Sequence, residues 1–320
     1  MSDLPPEARL WSLIRGALGT KALGIAADLG VADAVADGPR SVAELSEESG
    51  ADYDTLHRIL RALASDGVFA EDEPGVFRNT EASELLRSDN PDRWPEFAHL
   101  FSEVFYPAMA SLDVRQSDVP FARAYGTDIW SWFATKPEER STFDRAMEGG
   151  QAERADRLAA LDWREDETVV DIGGGTGRLL CDLLERRPEL RGIVFDLPEA
   201  DRDETIGGDR IAFVSGSFFE HVPEGDTYVL SKILHDWDDE PARAILRTIR
   251  TASRDEARLL VLDSVVPPGN EPAGVKWLDI LMLVLQHGRE RTDSDWRALL
   301  DGAGFGIEQI EDGLIQARCR

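Results

Sequence analysis

TVVDIGGGTG, residues 168–177, is the stretch whose reading decides the fold. Val169, Val170 and Ile172 describe a short buried strand, Gly173, Gly174 and Gly175 interrupt it, and leucines recur at helical spacing from Arg178. Strand, glycine turn and helix start therefore follow one another. Glycine lets a backbone approach a ligand where a Cβ would clash, and the helix start leaves N–H groups facing that ligand. A tight strand-to-helix turn also uses glycine for packing alone, so this one acquires meaning only from what surrounds it.

Outward from the turn, strands and helices alternate. Strands are expected at 168–172, 191–196, 210–215, 226–231, 257–263, 305–310 and 313–318, with helices near 176–187, 240–252 and 293–302. That order predicts an α/β doubly wound sheet. Its last two strands, separated by Glu311 and Asp312, form a hairpin and give a parallel sheet an antiparallel edge.

The chain before the turn is mainly helical. From Leu10 to Asp37 apolar residues recur at steps of three and four. SVAELSEE (41–48) opens with a serine cap and a glutamate three residues later, Gly50 ends the helix, and Asp54 or Thr55 starts the next. VFAEDEPGVFRNT then supplies two short strands around Pro74-Gly75, completing a winged helix. Between Ser41 and Asn90 twelve acids face four bases, the wrong sign for a groove-reading element, so this module is expected to pack on another subunit. Residues 91–160 are rich in aromatics, among them Trp94, Phe101, Trp130, Trp132 and Phe143, enough to wall a flat aromatic substrate. The expected division is 1–90, 91–160 and 161–320.

Composition narrows the function. The 320 residues carry a net charge of −27, which repels nucleic acid and anionic membranes. MSDLPPEARLW has no basic or apolar leader, and the longest apolar run, Ile280 to Leu285, is too short to cross a bilayer, which predicts a cytoplasmic protein. Cys181 and Cys319 offer neither a disulfide framework nor metal-ligand spacing.

Asp196, at the end of RGIVFDLP, falls at the carboxyl end of the second strand, where an acid can hold both ribose hydroxyls. A dinucleotide and S-adenosylmethionine both satisfy that geometry. The dinucleotide fingerprint requires GxGxxG, whereas Arg178 follows Gly173, Gly175 and Gly177 here, which favours the adenosyl sulfonium. In VLSKILHDWDDEP, His235 lies just past the fourth strand of the set and is the natural general base for a phenol, while Trp237 offers a ring for an adenine. Asp263, ending the next strand, and Glu290 are the acids able to orient that imidazole.

Taken in order, DIGGGTG, FDLP, GSFFEHVPEG, ILHDWDDE, LDSVVP and RERTDSDWRALLDGAGF resemble the S-adenosylmethionine-dependent small-molecule O-methyltransferases of plants and of bacterial natural-product pathways. The resemblance spans essentially the whole chain. It implies a Rossmann-like methyltransferase sheet and a winged-helix N-terminal domain that builds an intertwined homodimer. It also implies that Asp171, Gly173, Gly174 and Gly175 meet the methionine part of the cofactor, Asp196 and Leu197 the ribose, and Ser217, Phe218, Ser231 and Trp237 the adenine side. Phe143, Met147, Asp279 and Met282 would line the substrate junction, with His235 as base, Asp263 and Glu290 as supporting acids, and no metal. The implied reaction methylates a phenolic hydroxyl of an aromatic metabolite, leaving S-adenosylhomocysteine. Relatives that decarboxylate or hydroxylate with the same cofactor tend to lack the histidine. Two positions depart from the pattern: Ser217 replaces an aspartate, and Ser231 stands where lysine or arginine is usual, with Lys232 one residue later.

Overall fold

In the computed structural model, which describes residues 5–200, 206–254 and 256–320, the chain divides into two units. One holds residues 1–107 and 145–149, the other residues 108–144 and 150–320.

In the first unit, helices α1 (Pro6–Ile14) and α2 (Gly16–Asp28) precede the winged helix. Leu10, Trp11 and Ile14 of α1 are exposed, and α1 buries none of its residues in the single chain. Helix α3 (Val42–Ser49) carries the expected capping box between Ser41 and Glu44 and ends at left-handed Gly50. Helix α4 (Tyr53–Ser65) starts earlier than Asp54 or Thr55, because Asp52 Oδ1 accepts the Thr55 N–H at 2.9 Å and caps it. Strands β1 (Arg40–Ser41), β2 (Phe69–Glu73) and β3 (Val76–Asn79) form a sheet in the order β1-β3-β2. Val42, Leu45, Leu56, Leu60, Phe69 and Phe77 fill the core beneath it.

The second unit is built on a sheet of seven strands among the described residues. They are β4 (Thr168–Ile172), β5 (Arg191–Asp196), β6 (Ile211–Ser215), β7 (Thr227–Ser231), β8 (Arg258–Leu262), β9 (Phe305–Glu311) and β10 (Leu314–Cys319). Their spatial order is β6-β5-β4-β7-β8-β10-β9, parallel except for β10, which pairs antiparallel with both β8 and β9. The hairpin turn falls at Asp312-Gly313, one residue later than expected. Both residues have positive φ (46° and 78°), which aspartate tolerates and glycine favours, and which matches the twist of the flanking strands.

Strand order reverses beside β4, since β5 and β6 extend one way and β7 and β8 the other. Open α/β sheets bind ligands in the crevice at such a switch point. The helices around this sheet in the chain are α5 (Ile129–Ala134), α6 (Pro137–Glu148, whose last turn belongs to the first unit), α7 (Gln151–Ala159), α8 (Arg178–Arg186), α9 (Asp239–Ala252), α10 (Val275–Gln286) and α11 (Asp293–Asp301). Helix α8 begins after left-handed Gly177 and buries Leu179, Leu180, Leu183 and Leu184 on its inner face. At about 1.5–3 kcal/mol for each buried leucine, this packing holds the start of α8, and with it the glycine turn, against the sheet. Among the described residues no helix is long and apolar enough to cross a membrane.

Candidate active site

The glycine turn is shaped for close approach. Gly173 has φ 70°, and a Cβ there would stand 2.4 Å from Ile233 Cδ1, so a larger residue meets both strain and a clash. Gly175 also has positive φ, but a Cβ there would meet nothing within 4 Å, so this residue faces open space. Asp196 ties the turn to β5: its Oδ2 accepts the Gly175 N–H at 2.8 Å and its Oδ1 the Leu197 N–H at 2.6 Å.

Beneath the turn Asp171 is buried, and its Oδ2 has no hydrogen-bond partner, nor has Thr176 Oγ1. Burial first, then the charge of Asp196, push Asp171 up to about 7, while Arg154 on α7 acts in the opposite sense. The turn thus presents open space at Gly175, the Asp196 carboxylate at the end of β5 and, beneath them, an Asp171 oxygen without a hydrogen bond. That set fits a ligand carrying an amino-acid end, a ribose and a positive charge. Phe218 and Trp237 stand edge to face with ring centroids 6.1 Å apart, and Phe219 meets Trp237 at 4.8 Å. Ser217 Oγ accepts the Phe219 N–H at 3.3 Å, and Ser231 ends β7 opposite Leu262.

The second cluster follows β7. Lys232 turns the chain with φ 59°, and a single 3₁₀ turn, Leu234–Asp236, presents His235, which is only 7 % exposed. His235 Nδ1 lies 2.7 Å from Glu290 Oε1 and 3.7 Å from Asp263 Oδ1, and Nε2 lies 3.6 Å from Asp236 Oδ1. Burial lowers the imidazole pKa, but Asp263, Glu290 and Asp236 together outweigh it and raise it to about 9. Asp263 is itself pushed up by burial, with His235 and Lys232 opposing, and neither of its oxygens has a hydrogen-bond partner. The Nδ1 bond to Glu290 puts the proton of a neutral imidazole on Nδ1 and leaves the Nε2 lone pair to act as a base.

Other segments hold this cluster in register. Val266 N–H bonds to Arg291 O at 2.9 Å and Arg289 N–H to His235 O at 2.8 Å, which brings Glu290 beside Asp263 and His235. Asp279 on α10 accepts the Glu290 N–H at 2.8 Å, and α10 packs on the His235 turn. Met282, on the same helix, is buried. Phe143 on α6 packs against Phe133 and Trp130 at 4.9 and 5.7 Å. Met147, one turn further along α6, belongs to the first unit. Trp94, Phe97, Phe101, Phe105 and Tyr106 lie in the first unit as well, and Phe121, Tyr125, Trp130, Trp132 and Phe133 in the second.

Four residues of the site are absent from the sequence expectations. Asp236 Oδ1 lies on the Nε2 side of His235, and the Gln286 side chain acts on Asp236 to lower its pKa. Arg154 bears on both Asp171 and Asp263. Arg291, fully buried and stacked on Trp296, donates to Leu234 O, Trp237 O and Asp239 Oδ1 and so pins the histidine segment. Only the adjacency of Asp236 to His235 was visible in the sequence, because the other three act across long separations.

With this geometry in hand, residues 106–306 match the O-methyltransferase domain and residues 11–89 the O-methyltransferase dimerisation domain. The chain belongs to the O-methyltransferase family. It is an S-adenosylmethionine-dependent O-methyltransferase. The methyltransferase is 39 % identical to the phenazine O-methyltransferase PhzM of Lysobacter antibioticus, over 96 % of this chain and 93 % of that one. The crystal structure of LaPhzM superposes with a TM-score of 0.92 at 38 % identity, covering 99 % of this chain and 100 % of the other. NcsB1, an O-methyltransferase from neocarzinostatin biosynthesis, was solved with S-adenosylmethionine and 2-hydroxy-5-methyl naphthoic acid. It matches with a TM-score of 0.78 at 30 % identity, over 94 % of this chain and 96 % of NcsB1.

Proposed function

We propose that this methyltransferase methylates a phenolic hydroxyl of an aromatic secondary metabolite, with His235 as general base and without a metal ion, and that it works as a homodimer joined through its N-terminal domain. The observation that carries the reading is the buried imidazole whose Nδ1 is held by Glu290, leaving Nε2 to take a proton. The packed rings of Trp130, Phe133 and Phe143 support a flat acceptor, as do relatives named for phenazine and naphthoate substrates. The dimerisation-domain match and the exposed apolar face of α1 support the homodimer.

In this reading Asp171 and Gly173–Gly175 hold the amino-acid end of S-adenosylmethionine. Asp196 and Leu197 take the ribose, and Ser217, Phe218, Ser231 and Trp237 border the adenine. The cofactor supplies an electrophilic methyl group. His235 Nε2 removes the hydroxyl proton as the oxygen acquires the methyl, and Glu290 and Asp263 stabilise the imidazolium that results. Phe143, Asp279 and Met282 border the acceptor. Alignment of the reacting atoms supplies much of the rate.

One nitrogen and two carboxylate oxygens from His235, Asp263 and Glu290 lie within 4.8 Å of one another, a spacing that a divalent cation could also use. The proton shared by His235 and Glu290 and the nearby Lys232 ammonium already compensate the carboxylates, which supports metal-free catalysis. The test is His235→Ala with a phenolic acceptor. Turnover should fall ~10²-fold or more while S-adenosylhomocysteine still binds, and chelator treatment of the native enzyme should change nothing. Near-normal turnover in the variant would remove His235 as the base, and a chelator-sensitive native enzyme would remove the metal-free reading.

A further inference from the structure

Gln286 closes α10 with its amide between two groups that come from distant parts of the chain. On one side Trp130 donates its indole N–H to Gln286 Oε1 at 2.8 Å. An indole nitrogen donates only, so this bond orients the amide: the oxygen points to Trp130 and the NH₂ is left for another acceptor. Asp236 is the acid beside it: the Gln286 side chain acts on that carboxyl as a hydrogen-bonding neighbour and draws its pKa down, against the burial that raises it. Asp236 Oδ1 in turn lies 3.6 Å from His235 Nε2, the nitrogen that the Glu290 bond leaves available. Trp130 is fixed as well, edge-on to Phe143 at 85° and with the Arg140 guanidinium 5.5 Å from its ring centroid.

We propose that Gln286 is a positioning residue for methyl transfer. Anchored by Trp130, it holds the Asp236 carboxylate beside His235 Nε2, so that the acceptor hydroxyl meets that nitrogen in one orientation. The inference rests on His235 being the base. It assigns Trp130 two duties, one ring face for the aromatic wall and one N–H for the polar chain that ends at the reacting atoms.

The decisive variant is Gln286→Glu, which keeps the shape and an acceptor for Trp130 but offers Asp236 an oxygen in place of NH₂. A lost hydrogen bond to a charged group predicts a ~10-fold drop in kcat, with the KM for S-adenosylmethionine and the melting temperature unchanged. Trp130→Phe, which keeps a ring and loses the N–H, should lower kcat ~3–5-fold. Both penalties should vanish in an Asp236→Asn background, because both act through that carboxylate. A Gln286→Glu enzyme with native kcat overturns the proposal, as does one whose penalty persists in Asp236→Asn. If Gln286→Glu fails to bind S-adenosylhomocysteine, Trp130→Phe carries the same cycle and is read in the same way. His235→Ala separates the two levels: near-normal turnover there defeats the base and this inference together. An inactive His235→Ala beside an unaffected Gln286→Glu defeats this inference alone.

Discussion

Glu167 and Asp171 stand at the two ends of β4, and each is 2 % exposed. Glu167 is fully partnered: Thr227 Oγ1 donates to it at 2.5 Å, Arg258 at 2.9 Å and the Arg164 N–H at 2.9 Å. Burial pushes its pKa up, but these bonds prevail and hold it below the usual range. Asp171 has an oxygen without a hydrogen bond and is raised to about 7. Strand β8 repeats the contrast, with Arg258 hydrogen-bonded at its start and Asp263 without a hydrogen bond just past its end. A buried polar group without a partner costs free energy, and where a fold repeatedly leaves such groups at one edge, that edge is a candidate for function. The amino end of this sheet is finished within the chain, and the carboxyl end, where the donor and the base are proposed to act, holds buried acid oxygens without hydrogen bonds.

The largest effect should come from breaking the finished edge. Arg258→Met strips Glu167 of its nearer arginine, leaving only the exposed Arg164 at 3.7 Å, and removes the guanidinium 4.4 Å from the Trp163 ring. Removing one partner of a buried pair costs about 3–5 kcal/mol, so denaturant unfolding should show a loss of that order. Donor affinity of the folded fraction should not change. A variant of native stability, or one that folds normally but no longer binds S-adenosylhomocysteine, would erase the distinction between the two edges.

Breaking the other edge should show first in turnover. Glu290→Gln keeps the backbone bond to Asp279 but withdraws the charge from His235 Nδ1. Turnover is expected to fall ~10²-fold, equivalent to about 2.7 kcal/mol, and stability should also fall near neutral pH, where most of the imidazolium's contribution is still present. The pH profile carries the sign. A base must be neutral, so kcat/KM of the native enzyme should climb toward the free-enzyme pKa of about 9. Losing a carboxylate disfavours the imidazolium, so the variant's limb should move to lower pH. Because the folded pKa lies above the ordinary 6.5, the stability contributed by the imidazolium is complete below about 6.5 and lost as pH rises through about 9. Glu290→Gln should flatten that loss. An unmoved limb would mean that Glu290 does not tune the base.

The same contrast explains what could be read before the structure. The glycine turn, the capping box at Ser41 and the alternation of strands and helices are local, and their residues stand next to one another in the sequence. Helix and strand positions followed from periodicity, while the Asp52 cap and the Asp312-Gly313 turn differed because capping and φ preference act on single residues. The carboxyl edge is not local. His235 meets Glu290 across 55 residues and Trp130 meets Gln286 across 156, so neither pair leaves a periodic trace. Position at a strand end and in the loop after the apolar helix singled out Asp263 and Glu290 as acids able to reach His235, and the family resemblance implied the same pair. It did not supply Gln286, Arg154 or Arg291, whose importance lies in burial and direction.

The smallest effect tests how far the under-satisfied edge extends. Ser217 lies in the loop after β6, where its Oγ accepts the Phe219 N–H at 3.3 Å and its carbonyl accepts the Glu220 and His221 N–H groups at 2.9 and 3.1 Å. The loop backbone is therefore held by bonds that an aspartate at the same position can also make. Ser217→Asp adds a carboxylate next to Phe218, where the donor is proposed to lie, and one added hydrogen bond is worth about 1 kcal/mol. Calorimetry should show S-adenosylmethionine binding tightened roughly fivefold with kcat unchanged. The neighbouring charge of Asp196 sets the opposing term, because two acids that lack a bound cation repel each other. Weaker donor binding in Ser217→Asp would show that repulsion winning, and would place the limit of useful negative charge at Asp196. Unchanged binding would place Ser217 away from the donor altogether.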